Sequence, residues 1–114
     1  MTPEQLQAFL HQNIPAAAAL KLAVHESSRE RVVLQAPFAH NCNHHHTVFG
    51  GSIALAATRC GWSLVHLRYP EYHGKIVIQE GHTRYLKPAE TDLTAVCEAA
   101  DEAAWAKCSD MLAK

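Results

Sequence analysis

The stretch NCNHHHTVFGGSIAL, residues 41–55, gathers the side chains of this sequence that are best suited to chemistry. Cys42 and Asn43 precede three consecutive histidines, and Gly-Gly-Ser follows at residues 50–52. Imidazoles act as general bases near neutral pH, and together with thiolates they bind zinc. Backbone amides at the start of a helix stabilise negative charge. The stretch is therefore compatible with a metal cluster, an acyl-transfer site or a loop that is only rich in histidine.

A metal site would use Cys42, His44 and His46, which alternate so that an extended loop projects them to one side. His40, His82 or a water molecule would complete the ligand set. This spacing lacks the paired C-x-x-C of common zinc sites. We therefore predict a site without metal or other cofactor, and metal binding by the histidine run stays an alternative.

The composition narrows the classes of protein to consider. The 114 residues, 48% of them hydrophobic, predict a single domain over residues 1–114. The net charge of −1, with no cluster of lysine and arginine, argues against a nucleic-acid partner. No apolar run is long enough to predict a membrane span. The four widely spaced cysteines favour reduced thiols and a cytoplasmic location.

Local signals predict the elements that precede the histidine run. Thr2 and Pro3 begin a helix, and Gln5 completes a capping box with Thr2. Apolar residues alternate over residues 20–26 and 31–38, which predicts two strands in an antiparallel hairpin.

The stretch after Gly51 predicts the central element. Residues 52–68 are apolar on nearly every face, and one narrow stripe holds the polar residues Ser52, Arg59, Ser63 and His66. A surface helix is polar over about half of its circumference. This helix should therefore be buried along most of its length.

Three further elements complete the predicted order. Residues 76–88 predict a long third strand, residues 91–100 predict a fourth, and Asp101 caps a last helix. Strands grouped around one apolar helix predict an α+β fold, in which a curved antiparallel sheet wraps around the long buried central helix.

This order, with Gly-Gly opening the buried helix, resembles the hotdog-fold thioesterases. Asn43, His46 and the sequence Phe49-Gly50-Gly51 occupy the positions of the local pattern found there. The stretches APFAHNCNHHHTVFGGSIALA, GWSLVHLR and IVIQEGHTRYLKPA are most similar to the thioesterase family named for the YiiD C-terminal domain.

The resemblance implies a function and an assembly. The expected reaction is hydrolysis of an acyl thioester of coenzyme A or acyl carrier protein. The expected assembly is a homodimer or larger homo-oligomer with the active site where two subunits meet.

The chemistry of thioester hydrolysis, taken with the resemblance, suggests roles for particular residues. Gly51 supplies the amide that stabilises the oxyanion, Asn43 orients water or substrate, and Glu80 or His44 acts as the base. The expected substrate-binding residues are Phe49, Gly50, Ser52 and Gln79. The simpler alternatives are that Gly-Gly-Ser only forms a helix start, and that Asn43 only shapes the loop through an Asx-turn.

Three departures from the family pattern bear on these roles. His46 stands where glycine is usual, in a turn that has little room for a side chain. Thr58 stands where many relatives carry an acid, and residues 50–68 contain none. The chain also ends about two strands before a complete hotdog sheet, so the final strands are expected to be missing.

Two other functions fit the same fold. An acyl-thioester hydratase or dehydratase would need a histidine paired with an acid near the helix start. A non-catalytic acyl-CoA-binding module would need no acid at all.

Overall fold

The computed structural model describes residues 1–113, which form five α-helices and three β-strands. In chain order these are α1 (Pro3–Asn13), α2 (Pro15–Ala19), β1 (Ala23–Ser27), β2 (Arg31–Ala36), α3 (Phe38–Asn41), α4 (Gly50–Arg68), a 3-10 turn (Pro70–Tyr72), β3 (Leu93–Glu98) and α5 (Glu102–Leu112). Within residues 1–113 no helix has the length and apolar character needed to cross a membrane. The four cysteines are free thiols.

Helix α1 begins as its cap signals predict. The Oγ1 of Thr2 accepts the N–H of Gln5 at 3.1 Å, and the side chain of Gln5 accepts the N–H of Thr2 at 2.9 Å. This capping box satisfies two amides that a helix start leaves free. Leu6 and Leu10 are fully buried and anchor the helix on the core.

The predicted hairpin forms, and it belongs to a sheet of three strands in the order β1-β2-β3. Both neighbours run antiparallel to β2, and the β2–β3 register extends from Arg31 opposite Glu98 to Ala36 opposite Leu93. The inward-facing residues of β2, Val32, Leu34 and Ala36, are fully buried. The strand predicted at residues 91–100 is confirmed as β3.

The long central helix is confirmed as α4, which begins two residues earlier than predicted and packs across β2 and β3. The predicted polar stripe faces the protein interior: Ser52, Ser63 and His66 are less than 9% exposed. The ring of His66 is stacked against both Phe9 and Trp62, with centroids 4.9 Å and 5.0 Å away. Aromatic stacking fills the space around the imidazole without supplying it a hydrogen bond.

The long strand predicted at residues 76–88 is wrong. Residues 75–90, here called the 75–90 segment, pair with no strand of the described chain and run along α4 instead. The indole N–H of Trp62 donates to the carbonyl of Ile76 at 2.9 Å, and the N–H of Val48 donates to the carbonyl of Ala89 at 2.8 Å. A strand needs a neighbouring backbone as well as an apolar pattern, and within residues 1–113 this segment pairs with neither edge strand of the sheet, β1 or β3.

Helix α5 carries the predicted cap, in which a carboxylate oxygen of Asp101 accepts the N–H of Ala104 at 2.8 Å. Its half-buried residues are the predicted Trp105, Cys108 and Leu112. The Trp105 ring meets Tyr69 edge to face at 6.0 Å, which ties α5 to the end of α4.

Candidate active site

The loop before α4 takes its shape from Asn43. The side-chain oxygen of Asn43 accepts hydrogen bonds from the N–H of His45 at 2.9 Å, the N–H of Thr47 at 3.2 Å and the hydroxyl of Thr47 at 3.1 Å. Asn43 therefore does form the turn of the simpler alternative. Its side-chain nitrogen makes no hydrogen bond within residues 1–113 and is the half of the amide that can donate to a ligand.

The three histidines occupy different environments within the same loop. His46 has φ of 60°, in the left-handed region, as expected of a position where glycine is usual. His44 and His45 are exposed, and their ring centroids are 3.8 Å apart. The side chain of His44, the candidate base, is thus open to solvent.

The metal alternative finds no ligand set in the structure. Among residues 1–113, no three histidine, cysteine, aspartate or glutamate side chains are grouped to hold an ion. Cys42, His44 and His46 do not converge, because the turn at His46 breaks the extended backbone on which their alternation depends.

The start of α4 leaves two amides available. Phe49 precedes the helix, and its carbonyl accepts the N–H of Ser52 at 2.9 Å and of Ile53 at 3.2 Å. The N–H groups of Gly50 and Gly51 find no acceptor in the described part of the chain. They lie at the positive end of a 19-residue helix, where they can bind an anion or an oxyanion.

A buried amide side chain holds this helix start in place. Asn41 is 3% exposed, and its nitrogen donates to the carbonyls of Leu20 at 2.9 Å and Pro37 at 2.8 Å. The carbonyl of Asn41 accepts the N–H of Phe49 at 2.7 Å. The position of the Gly-Gly amides therefore depends on packing that reaches back to α2 and β2.

The four predicted substrate-binding residues lie in different surroundings. The Phe49 ring is 57% exposed beside Gly51, whereas Ser52 is only 5% exposed, on the inner face of α4. The carbonyl of Gly50 accepts the hydroxyl of Tyr85 at 3.3 Å, and Gln79 is exposed on the 75–90 segment.

The predicted acid lies away from the loop. One carboxylate oxygen of Glu80 is 3.0 Å from Nε2 of His82, and both side chains are more than three-quarters exposed. Within residues 1–113, no hydrogen bond or ion pair joins Glu80 or Gln79 to Asn43. The pairing of Glu80 with His82 is a feature that the sequence interpretation missed, although its i, i+2 spacing is the signal for it.

A cavity of about 510 Å³ lies between the end of α1 and the middle of α4. Thr58 lines it together with Arg59 and Trp62. Seven residues separate Thr58 from Gly51, which corresponds to two helical turns on nearly the same face of α4. The cavity therefore lies on nearly the same face of α4 as Gly51, about two turns further along the helix.

The buried thiols do not belong to the site. Burial, reinforced by the nearby Cys97, raises the pKa of Cys60 to about 11, and burial also raises the pKa of Cys97. The Sγ of Cys60 is 3.2 Å from the carbonyl oxygen of Val32, to which it donates. Both thiols stay protonated near neutral pH and pack as small apolar groups.

Comparison with known proteins decides the family. The sequence profile of the family described as "Putative thioesterase (yiiD_Cterm)" matches residues 3–114. The chain belongs to this family. The predicted resemblance to it is confirmed.

Solved structures agree with this assignment. A protein of unknown function from Chlorobaculum tepidum is 29% identical, with a TM-score of 0.82 over 96% of this chain and 71% of that one. A protein from Shewanella oneidensis called a putative thioesterase is 31% identical, with a TM-score of 0.79 over 87% of this chain and 71% of that one.

A third structure, a mutant thioesterase from Pseudomonas aeruginosa, is 18% identical, with a TM-score of 0.71 over 89% of this chain and 73% of that one. This level of identity shows the fold alone. The predicted fold is confirmed: an antiparallel sheet of three strands around a long central helix, the hotdog architecture.

Proposed function

We propose that this single hotdog domain is a cytoplasmic thioesterase that hydrolyses acyl thioesters of coenzyme A or of acyl carrier protein. The observation that carries the proposal is the pair of free amides at Gly50 and Gly51. Membership of the thioesterase family supports it.

The reaction requires a hydrogen-bond donor that stabilises the oxyanion and a base that removes a proton from water. Water attacks the thioester carbonyl, the new C–O bond forms, and the carbonyl oxygen becomes an oxyanion. The Gly51 amide, aided by the dipole of α4, stabilises that charge, and one such donor is worth roughly 3 to 4 kcal/mol. The C–S bond then breaks, and the thiol takes the proton that the base removed from water.

Asn43 and one of two bases complete this mechanism. The free side-chain nitrogen of Asn43 donates to the attacking water or to the carbonyl, while its oxygen stays bound to Thr47. The base is His44 from the same loop, or Glu80 from the 75–90 segment of a second subunit. Glu80 has a neighbouring imidazole that can relay a proton, because Nε2 of His82 lies 3.0 Å from its carboxylate oxygen.

The 75–90 segment supports the homodimer. Val77 and Leu86 are 87% and 80% exposed, and Tyr85 is 58% exposed. Unpaired backbone with large apolar side chains is a template for pairing with another chain. A second copy that presents the same segment across a two-fold axis would pair this backbone and cover these apolar side chains. Such a contact can form in a homodimer or as part of a larger homo-oligomer.

The test is free-thiol release from a panel of acyl-CoA and acyl-carrier-protein substrates by the wild type and two Asn43 variants. Asn43→Asp keeps an oxygen for the three loop hydrogen bonds, replaces the donor nitrogen with a second acceptor oxygen and adds a negative charge, whereas Asn43→Ala removes the whole amide. We expect Asn43→Asp and Asn43→Ala to lower kcat/KM by about a hundredfold.

Thr47→Val is the matched control, because it removes one loop hydrogen bond and leaves the Asn43 nitrogen in place. If Thr47→Val costs as much activity as Asn43→Asp, then Asn43 serves only the loop. Each assay is repeated with a chelator, and loss of turnover there would restore Cys42, His44 and His46 as metal ligands.

A non-catalytic acyl-CoA-binding module is the second candidate. It is favoured by Thr58 and by the absence of acidic side chains among the residues that line the cavity beside it. Measurable binding of acyl-CoA without thiol release from any substrate would support this module and contradict the hydrolase.

A further inference from the structure

The cavity beside Thr58 has a mainly apolar lining with one permanent positive charge, and it also includes the polar side chains of Asn13, Thr58 and His73. Phe9, Trp62 and Ile76 line it, and Arg59 is the arginine among its lining side chains. Neither aspartate nor glutamate is among them. An apolar cavity with one charged group is the usual design of a site that orients an amphipathic ligand.

Arg59 has no counter-ion among residues 1–113. Its Nε is buried without a hydrogen-bond partner, and no ion pair of the described chain includes it. The guanidinium carbon lies 5.3 Å from the centroid of the Trp62 ring. Arg59 is half-buried, and desolvation lowers the pKa of its guanidinium.

Arg68, on the same helix, shows the ordinary arrangement. Its guanidinium also lies over a tryptophan ring, 4.7 Å from the centroid of Trp105. Unlike Arg59, it is paired with a carboxylate oxygen of Glu30 at 3.2 Å. The unpaired state of Arg59 is therefore a property of its cavity and not of arginine on α4.

The cavity is placed to receive one end of the substrate. Thr58 lies about 10 Å along the helix axis from Gly51, on nearly the same face. A thioester whose carbonyl oxygen is held at Gly51 can thus extend its acyl chain along α4 towards Arg59. Methylene groups suit the walls, and a carboxylate matches the fork of a guanidinium.

We propose that the cavity binds the distal end of an acyl chain that terminates in a carboxylate, and that Arg59 pairs with this carboxylate. The preferred substrates are then thioesters of dicarboxylic acids, and Arg59 determines specificity. This inference rests on the proposed thioesterase function for the position of the carbonyl, but the binding site can be tested without turnover.

The first test uses ligands that lack coenzyme A. Adipic acid monoamide and hexanamide have the same chain and the same neutral end, and differ only in the distal carboxylate. Binding is followed by calorimetry and by the fluorescence of Trp62, with Trp62→Phe identifying its signal. We expect the wild type to bind the monoamide about tenfold or more tightly than hexanamide, since a charged hydrogen bond is lost with the carboxylate.

Three variants define the role of Arg59. Arg59→Leu should abolish the preference for the carboxylate, Arg59→Lys should retain part of it, and Arg68→Leu should leave it unchanged. Thermal melts of all three variants check folding. Equal binding of both ligands by the wild type, or equal losses in Arg59→Leu and Arg68→Leu, would overturn the proposal.

The second test compares kcat/KM for suberyl-CoA and octanoyl-CoA, which have acyl chains of equal length. We expect Arg59→Leu to lower the value for suberyl-CoA alone. If it lowers both values equally, and adenosine 3′,5′-bisphosphate competes with the monoamide, the arginine binds a carrier phosphate and the proposal is wrong. Hydrolysis of both thioesters at equal rates would support the thioesterase function and contradict the role of Arg59. Carboxylate-dependent binding without hydrolysis would support the role of Arg59 and contradict the thioesterase function.

Discussion

The aromatic ring of Phe49 lies directly against the Cα of Gly51. A Cβ at residue 51 would overlap Cε2 of that ring and would lie 3.1 Å from its Cδ2 and its Cζ. The ring is 57% exposed and belongs to the residue that precedes α4, so it can rotate outward. The contact therefore limits the space beside the Gly51 amide, and we expect it to contribute little to the stability of the fold.

Gly51→Ala should separate activity from stability. Because the displaced atoms are the far end of a mobile ring, we expect the melting temperature to change little. The added methyl group and the shifted ring block the approach of a carbonyl to the amide, so kcat/KM should fall by up to about a hundredfold. Steady-state thiol release and thermal denaturation measure the two effects.

Gly61→Ala is the matched control on the same helix. A Cβ at Gly61 meets no atom within 4 Å. This variant should gain about 1 kcal/mol of stability from helix propensity and keep its activity. Equal activity in the Gly51 and Gly61 variants would show that the Gly51 amide is not part of the site.

His46→Gly should stabilise the protein. A non-glycine residue in the left-handed region costs roughly 1 to 2 kcal/mol, part of which is offset by the larger entropy of glycine in the unfolded chain. We therefore expect the free energy of unfolding to rise by about 0.5 to 1 kcal/mol in chemical denaturation. His45→Gly, at a position with ordinary φ, should give no gain, and an equal gain there would refute the strain at His46.

Stability should fall on acidification because of His66. Burial, with a contribution from the N-terminal ammonium, lowers the pKa of His66 below its usual 6.5. The unfolded chain therefore takes up a proton at a higher pH than the folded protein does. The contribution of His66 is fully present above pH 6.5 and is lost progressively as the pH falls below it.

Urea denaturation between about pH 7 and pH 5 measures this loss, which for one proton is no steeper than about 1.4 kcal/mol per pH unit. His66→Phe keeps a ring in the stack with Phe9 and Trp62 and removes the titration. The difference between the two proteins should grow as the pH falls. Parallel curves would show that other histidines cause the pH dependence.

Val77→Asp should dissociate the proposed homodimer. It places a charge on the most exposed apolar side chain of the 75–90 segment, where desolvation opposes pairing. Light scattering after gel filtration should give the dimer mass for the wild type and the monomer mass for this variant. Met111→Asp, at a 48% exposed residue of α5, is the control and should remain a dimer; dissociation of both would locate the interface elsewhere.

The sequence predictions that were confirmed depend on signals between neighbouring residues. The caps at Thr2 and Asp101 need only a few residues of chain, and α4 needs only its apolar run, so all three were predictable. The 75–90 segment was not, because its alternating pattern requires a covered face without specifying which backbone covers it. The cavity at Arg59 was also not predictable, because one of its walls comes from α1, which is distant in the sequence.

In the candidate site, too, the features that depend on neighbouring residues were predictable and those that depend on the folded loop were less so. The free amides of Gly50 and Gly51 follow from the position of the glycines at a helix start. Which half of the Asn43 amide is occupied depends on Thr47, whose hydroxyl turns back to the loop. The Asx-turn alternative predicts that the oxygen accepts from the N–H of His45, but it does not predict the two further hydrogen bonds from Thr47.

Hydrogen bonds join the 75–90 segment both to the middle of α4 and to its start, where the hydroxyl of Tyr85 also donates to the carbonyl of Gly50. Trp62, at the cavity, binds the carbonyl of Ile76, and Val48, just before the glycines, binds that of Ala89. In the proposed homodimer, a partner packed on this segment would therefore contact an element that is bonded both to the cavity and to the start of α4. If the dimer forms in this way, dilution below its dissociation constant should lower the activity per subunit.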